Sequence, residues 1–216
     1  MLTLALLLAT AADPAIDGTR LRPGSVCYTI LRGDQPIAVT LQTVRAIEAE
    51  GEPGWDIVVH QKGARFDMRD HFVVRAADLT PIAFDNLTSG AEHARVAYSP
   101  GKLVVTRPDK PVAEIAVTGR IWEGNLWGLT FAALPLAEGA HFELPFYQYD
   151  QGLGRFAIDV VGSEKLGDED AWVVEATSDG QRKVRYLIGK ASHAELGYSG
   201  SGFSQKVGGD CSGIAK

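Results

Sequence analysis

Beyond residue 12 the sequence has no apolar run approaching the roughly 20 residues that a membrane-spanning helix needs, so no transmembrane segment is expected there. It has no basic stripe either. The longest basic cluster, Arg182-Lys183-Val184-Arg185, alternates as a strand face does. A nucleic-acid groove needs clustered cations with interleaved stacking aromatics, and that partner class is set aside. None of the five histidines, His60, His71, His93, His141 and His193, stands two or four residues from another His or Cys, so no metal-ligand spacing is present. Linkers, repeats and low-complexity stretches are missing, which points to one β-rich domain over residues 13–216. The net charge of −6 weighs against an anionic membrane surface as partner.

What is present begins with Met1–Ala12. This stretch carries no charged side chain, runs apolar from Leu2 to Ala9, and ends in an Ala9-Thr10-Ala11 site before Asp13-Pro14. It reads as a short signal peptide over residues 1–12; the alternative is a buried N-terminal strand or helix. Export places the protein in the periplasm or outside the cell. In that setting the two cysteines, Cys27 and Cys211, are expected to pair. Val26, Tyr28 and Ile30 share one strand face, and Ser25, Cys27 and Thr29 the other. A tail carrying Gly208-Gly209-Asp210-Cys211 could therefore cross the more polar face, closing a loop that stabilises by roughly 3–5 kcal/mol.

Period-2 alternation recurs along the chain. Ile37, Val39 and Leu41 oppose Ala38, Thr40 and Gln42; Phe72 and Val74 oppose His71 and Arg75. Phe156, Ile158 and Val160, then Trp172, Val174 and Ala176, and then Val184, Tyr186 and Ile188 repeat the pattern. Shorter strands are expected near 82–88, 92–98, 102–106, 111–117, 140–147 and 195–203. Turn clusters such as Arg32-Gly33-Asp34 and Ser99-Pro100-Gly101 separate them. Many short strands with turns every ~8–12 residues predict an all-β fold: a single antiparallel curved sheet, or a barrel or half-barrel. One segment departs. Trp127, Phe131 and Leu134 fall at i, i+4 and i+7, which predicts a short helix at about 126–134, capped by Asn125 and ended by Pro135. A lone helix in a β chain plugs a barrel end, lies on the open face of the sheet, or simply fills core.

Three stretches carry a family likeness. They are Leu134-Pro135-Leu136-Ala137-Glu138-Gly139 with Phe142 and Pro145, then Val160-Val161-Gly162-Ser163-Glu164, and finally Ala171-Trp172-Val173-Val174-Glu175 followed by Val184-Arg185-Tyr186-Leu187-Ile188-Gly189-Lys190. With Asp78-Leu79-Thr80-Pro81 upstream, residues 70–200 resemble the exported bacterial proteins that share domain of unknown function 3108. The resemblance implies a β-rich envelope protein with no catalytic residues to carry over. Its architecture is similar to the curved, partly open barrels of periplasmic lipoprotein carriers.

No motif for chemistry stands out. Gly209-Asp210-Cys211-Ser212-Gly213 has a cysteine displacing the serine of a protease loop. Gly197-Tyr198-Ser199-Gly200-Ser201 is no nucleophile elbow, and Gly152-Leu153-Gly154 reads as a hairpin turn rather than a dinucleotide loop. Asp67, Asp70 and His71, beside Arg65 and Arg69, read as a solvated strand face, across which His60 and His71 could meet. Asp168-Glu169-Asp170 is a solvated acidic turn. No catalytic or metal residue and no cofactor is assigned. Aromatic residues crowd between Trp122 and Tyr149, and core packing is their default explanation. The sharper reading is an apolar cavity between sheet and helix, with Trp122, Trp127, Phe131, Leu134, Phe142 and Phe146 as its ligand-binding residues. On that reading the chain is a non-enzymatic binder or carrier of a lipid or other apolar ligand. The alternatives are an envelope structural or protein-interaction module without a small ligand, and an enzyme of unknown class.

Overall fold

A computed structural model describes residues 14–178 and 183–214. The expected signal segment lies outside these residues, and so does part of a further turn that the sequence predicts at Ser178-Asp179-Gly180. After a 3-10 turn at Gly18–Arg20, eight strands follow in order: β1 (Gly24–Arg32), β2 (Gln35–Ala49), β3 (Glu52–Gly63), β4 (Asp67–Arg75), β5 (Pro81–Thr88), β6 (Ala91–Ser99), β7 (Lys102–Arg107) and β8 (Lys110–Ala116). The second half comprises β9 (Trp122–Glu123), helix α1 (Trp127–Ala132), β10 (His141–Gln148), β11 (Gly152–Leu166), β12 (Glu169–Ser178), β13 (Val184–Gly189), β14 (Glu195–Gly200) and β15 (Phe203–Val207). The protein is all-β, as expected.

All the strands join one curved, open sheet in the order β8-β7-β6-β5-β4-β3-β2-β1-β15-β14-β13-β12-β11-β10-β9. Two meanders thus meet at the β1–β15 pair, and every pairing is antiparallel except β9 with β10. The two edges, β8 and β9, are consecutive in the chain. Side chains tie β9 back onto the first meander. The Trp122 indole N–H donates to the Asp78 carbonyl at 2.9 Å, and the Tyr98 hydroxyl donates to Glu123.

Inward-facing apolar side chains line up across strands. Val44, Ile57, Phe72, Phe84, Val96 and Val105 form one such row through β2 to β7. Val160, Val174, Tyr186 and Tyr198 form another through β11 to β14. These cross-strand neighbours supply most of the sheet's packing. The helix fills the concave side. Its freed C-terminal carbonyls are taken up by the N-terminal segment, where the Asp17 N–H donates to Ala133 O and the Arg20 guanidinium to Leu134 O, both at 2.9 Å.

Three sequence expectations change. The expected strand at 195–203 is two strands, because Ser201 and Gly202 both adopt positive φ (54° and 80°) and turn the chain into a hairpin. The helix is shorter than 126–134, with Leu126 rather than Asn125 at its N-cap and no side-chain cap. Asn125 is drawn away to Glu123, and the two-residue β9 was not foreseen. The disulfide expectation holds. Cys27 and Cys211 are bonded, with Cα atoms 5.9 Å apart. The tail crosses β1 as expected, the Gly208 N–H donating to Cys27 O and the Thr29 hydroxyl to Gly208 O.

Candidate functional site

A cavity of about 330 Å³ opens between the concave face of the sheet and the start of α1. Strand registers build its floor. Gln42 on β2 sits opposite Val59 on β3, which sits opposite Asp70 on β4. In the next row Thr40 faces Gln61, which faces Met68. Asn125, Leu126, Trp127, Gly128 and Leu129 cover one side, and Val184, Tyr186, Glu195, Tyr198 and Gln205 close the other. No Lys, Arg or His belongs to this lining among the described residues.

Strand parity explains how polar groups come inside. Thr40 is paired with Tyr28, whose ring points into the core, so Thr40 and, two residues on, Gln42 point inward as well. The alternation around Ile37, Val39 and Leu41 suggested the opposite facing. Asp70 shares its face with Phe72 and Val74 and is 8% exposed, not part of a solvated cluster with Asp67 and His71. Those two point outward and separate. Asp67 takes His60 at 2.7 Å, while His71 lies 2.7 Å from Asp85 and 3.3 Å from Asp56. His60 and His71 therefore do not meet.

Two polar strings reach the cavity. In one, the Thr40 hydroxyl donates to Gln205 Oε1 at 3.0 Å, and the Gln205 amide donates to Glu195 Oε1 at 3.2 Å. The Glu195 carboxyl lies directly against α1. A Cβ on Gly128 would stand 1.7 Å from Glu195 Oε2, so only glycine lets helix and carboxyl approach this closely. The other string begins at Asp70, which accepts from the Asn86 amide at 2.6 Å. Beside it Asn125 donates its N–H and side-chain amide to Glu123 Oε1 (3.1 and 2.9 Å) and accepts from Gln148 at 2.7 Å. Gln42, 8% exposed, makes no side-chain hydrogen bond with any described residue. Its amide is open to the cavity rather than sealed in the core.

Burial raises the pKa of all three interior carboxyls. It pushes Asp70 up to about 6, Glu195 to about 7, and Glu123 to about 8 despite three donated hydrogen bonds that favour its ionised form. The folded protein therefore holds protons that the unfolded chain releases near pH 4. Stability is full below the unfolded values and falls as the pH rises towards 8, by roughly 1.4 kcal/mol per pH unit for each carboxyl still protonated only in the fold. Urea unfolding is expected to give a lower free energy at pH 8 than at pH 5, with a smaller fall in Glu123→Gln. A flat profile, or a rise over this range, contradicts the assignment.

Of the six aromatic and apolar residues expected to bind ligand, only Trp127 lines this cavity. Trp122, Phe131, Leu134 and Phe146 are fully packed, and Phe142 is half-buried against the core. Phe131 and Phe146 join Phe156 in the wall behind Trp127. Phe156 stacks on Phe146 and lies tilted against Trp127, with ring centroids 4.1 Å apart in each case. Among the described residues no group of three or more His, Cys, Asp or Glu side chains could hold a metal ion, and no helix is long and apolar enough to cross a membrane.

Fold and site together define a β-barrel-like protein with a polar-floored interior cavity. The chain belongs to the DUF3108 family of proteins of unknown function, whose model matches residues 27–198. No curated protein matches it. Among solved structures it is similar to a β-barrel-like protein of domain of unknown function DUF1849 from Brucella abortus. The TM-score is 0.55 at 10% identity, over 89% of this chain and 96% of the other. At that identity the likeness speaks for the fold alone.

Proposed function

We propose that this protein is a non-enzymatic binding protein that takes one small amphipathic molecule into the cavity beside α1. The observation that carries this reading is the combination of an open interior space with the unpartnered Gln42 amide on its floor. Val59, Met68, Leu126, Trp127 and Leu129 offer an apolar wall, and the polar strings offer hydrogen bonds for one end of a ligand. A volume of about 330 Å³ suits a single small molecule or one short chain rather than a two-chain lipid. The disulfide supports export to an oxidising compartment, the periplasm or the exterior.

A second reading, an envelope interaction module, draws on β8. This edge strand is exposed along nearly its whole length, and a bare edge invites strand addition. Lys110, Pro111 and Glu114 on the same strand work against it, since charge and proline blunt an edge.

Organic extraction and mass spectrometry of the protein recovered from an envelope fraction test the binding reading. The expected result is a stoichiometric small molecule in the wild type that is lost from Met68→Trp, which fills the cavity from its half-buried rim. Recovery of no small molecule, even after incubation with membrane extract, overturns it.

A further inference from the structure

We propose that the cavity selects a cationic amphiphile, a small molecule whose amine is held, directly or through water, by the polar floor that carries Glu195, Asp70 and Gln42 while its apolar part lies along Trp127 and Leu126. This rests on the binding reading above and assigns the ligand's charge. The cavity is lined by two carboxyl side chains and by no Lys, Arg or His among the described residues. Above about pH 7, where Asp70 and Glu195 ionise, a fatty acid, a phosphate or any other anionic head would stand beside them with no cation in the lining to neutralise it, at a high desolvation cost. Arg22 and His193 line a second space of about 200 Å³, which shares Gln42, Leu129 and Glu195 with the cavity. Arg22 is engaged there with the carbonyls of Thr19 and Leu21.

The acids alone would not make a site. Gln42 supplies the independent observation. It is more than nine-tenths buried, lines the cavity, and has no hydrogen-bond partner among the described residues. Its amide offers both an acceptor and donors; the carbonyl oxygen can take a donor from an ammonium group, and the two carboxyls, not the amide, set the sign of the charge. Each carboxyl is held by one oxygen only. Gln205 donates to Glu195 Oε1 and Asn86 to Asp70 Oδ1, which leaves Glu195 Oε2 and Asp70 Oδ2 open. Gln42 and Asp70 lie in one cross-strand row, two strands and therefore about 10 Å apart. A compact cation between them can engage one directly and the other through water. Trp127, Tyr186 and Tyr198 add three aromatic side chains to the walls, surroundings that favour a partly desolvated cation over an anion.

Isothermal calorimetry with three probes of equal chain length, octylamine, octanol and octanoate, separates the possibilities. The expected order for the wild type is octylamine tighter than octanol by at least about tenfold, with octanoate not bound. Glu195→Gln and Asp70→Asn keep the shape and hydrogen-bonding reach of the side chains. They are expected to bring octylamine down to the octanol level while weakening octanol far less, a charge-dependent split that a merely structural role would not give. Equal binding of octylamine and octanol in the wild type overturns the charge selection and leaves the binding reading standing. Tighter binding of octanoate overturns it outright. If none of the three binds, the extraction experiment decides how far the failure reaches. A small molecule lost on Met68→Trp means that the cation inference alone falls, and an empty protein means that both fall.

Discussion

Replacing Cys27 and Cys211 together by alanine is expected to lower the unfolding free energy by about 5 kcal/mol, the largest stability effect expected in this protein. The bridge spans 184 residues of sequence, so cutting it returns a great deal of conformational freedom to the unfolded chain. Its position makes the native-state consequence specific. Among the described residues the two meanders share a strand pairing only where β1 meets β15, over five residue pairs from Tyr28–Val207 to Arg32–Phe203. Cys27 is the next residue of β1 beyond that ladder, and its partner sits on the tail that continues past β15. The disulfide therefore closes the open end of the seam. Urea unfolding of the double variant gives the magnitude. Hydrogen exchange is expected to show the extra opening concentrated in β1 and β15, with β3 to β6 and β10 to β12 little changed at low denaturant. A uniform loss of protection along the chain contradicts this assignment of the seam.

Phe156→Ala is expected to cost about 4 kcal/mol, as large-to-small changes at packed aromatic positions do. Phe156 is buried at the meeting point of three rings: Phe146 and Trp127 at 4.1 Å, and Phe131 edge-on at 5.6 Å. Removing it leaves a hole behind the cavity wall. Trp127 is half-buried, open to the cavity on one side and resting on Phe156 on the other, so it loses its support. The variant is expected to lose ligand affinity as well as stability, whereas Phe84→Ala in the other meander costs stability with affinity retained. A double-mutant cycle between Phe156→Ala and Trp127→Ala should return a coupling of about 1 kcal/mol. Additive effects would mean that the wall and the site are independent.

Much of the architecture was legible in the sequence because strands declare themselves through parity. Phe72 and Val74, or Phe156, Ile158 and Val160, alternate with polar neighbours, and they do point inward. Turn residues placed most of the boundaries, and the expectation of export made the Cys27–Cys211 pair readable. The family likeness at residues 70–200 agreed with the wider match over 27–198. Parity failed where the interior is polar. On β2 the residues facing the cavity are Thr40 and Gln42, and a reading that equates apolar with inside assigns that strand backwards. Asp70 was legible in principle, two residues before Phe72 on the same face. Its neighbours Asp67 and His71 disguised it as one member of a surface cluster. Glu195 and Gln205 carried no local signal, since each is drawn inside by the pairing of β14 and β15 across a hairpin that reads as one strand. The aromatic cluster was seen correctly as a cluster. Its role was harder to foresee, because a packed wall and a cavity wall have the same composition, and of the six expected residues only Trp127 lines the cavity.

The central claim is that the cavity between α1 and the β2–β4 floor is where this protein holds a ligand. Diffraction from crystals of the protein purified with its envelope-derived cargo tests it most directly. The predicted result is non-protein density in that cavity, within hydrogen-bonding distance of Gln42 and Glu195. Density for the cargo on another surface, with the cavity holding water alone, contradicts it.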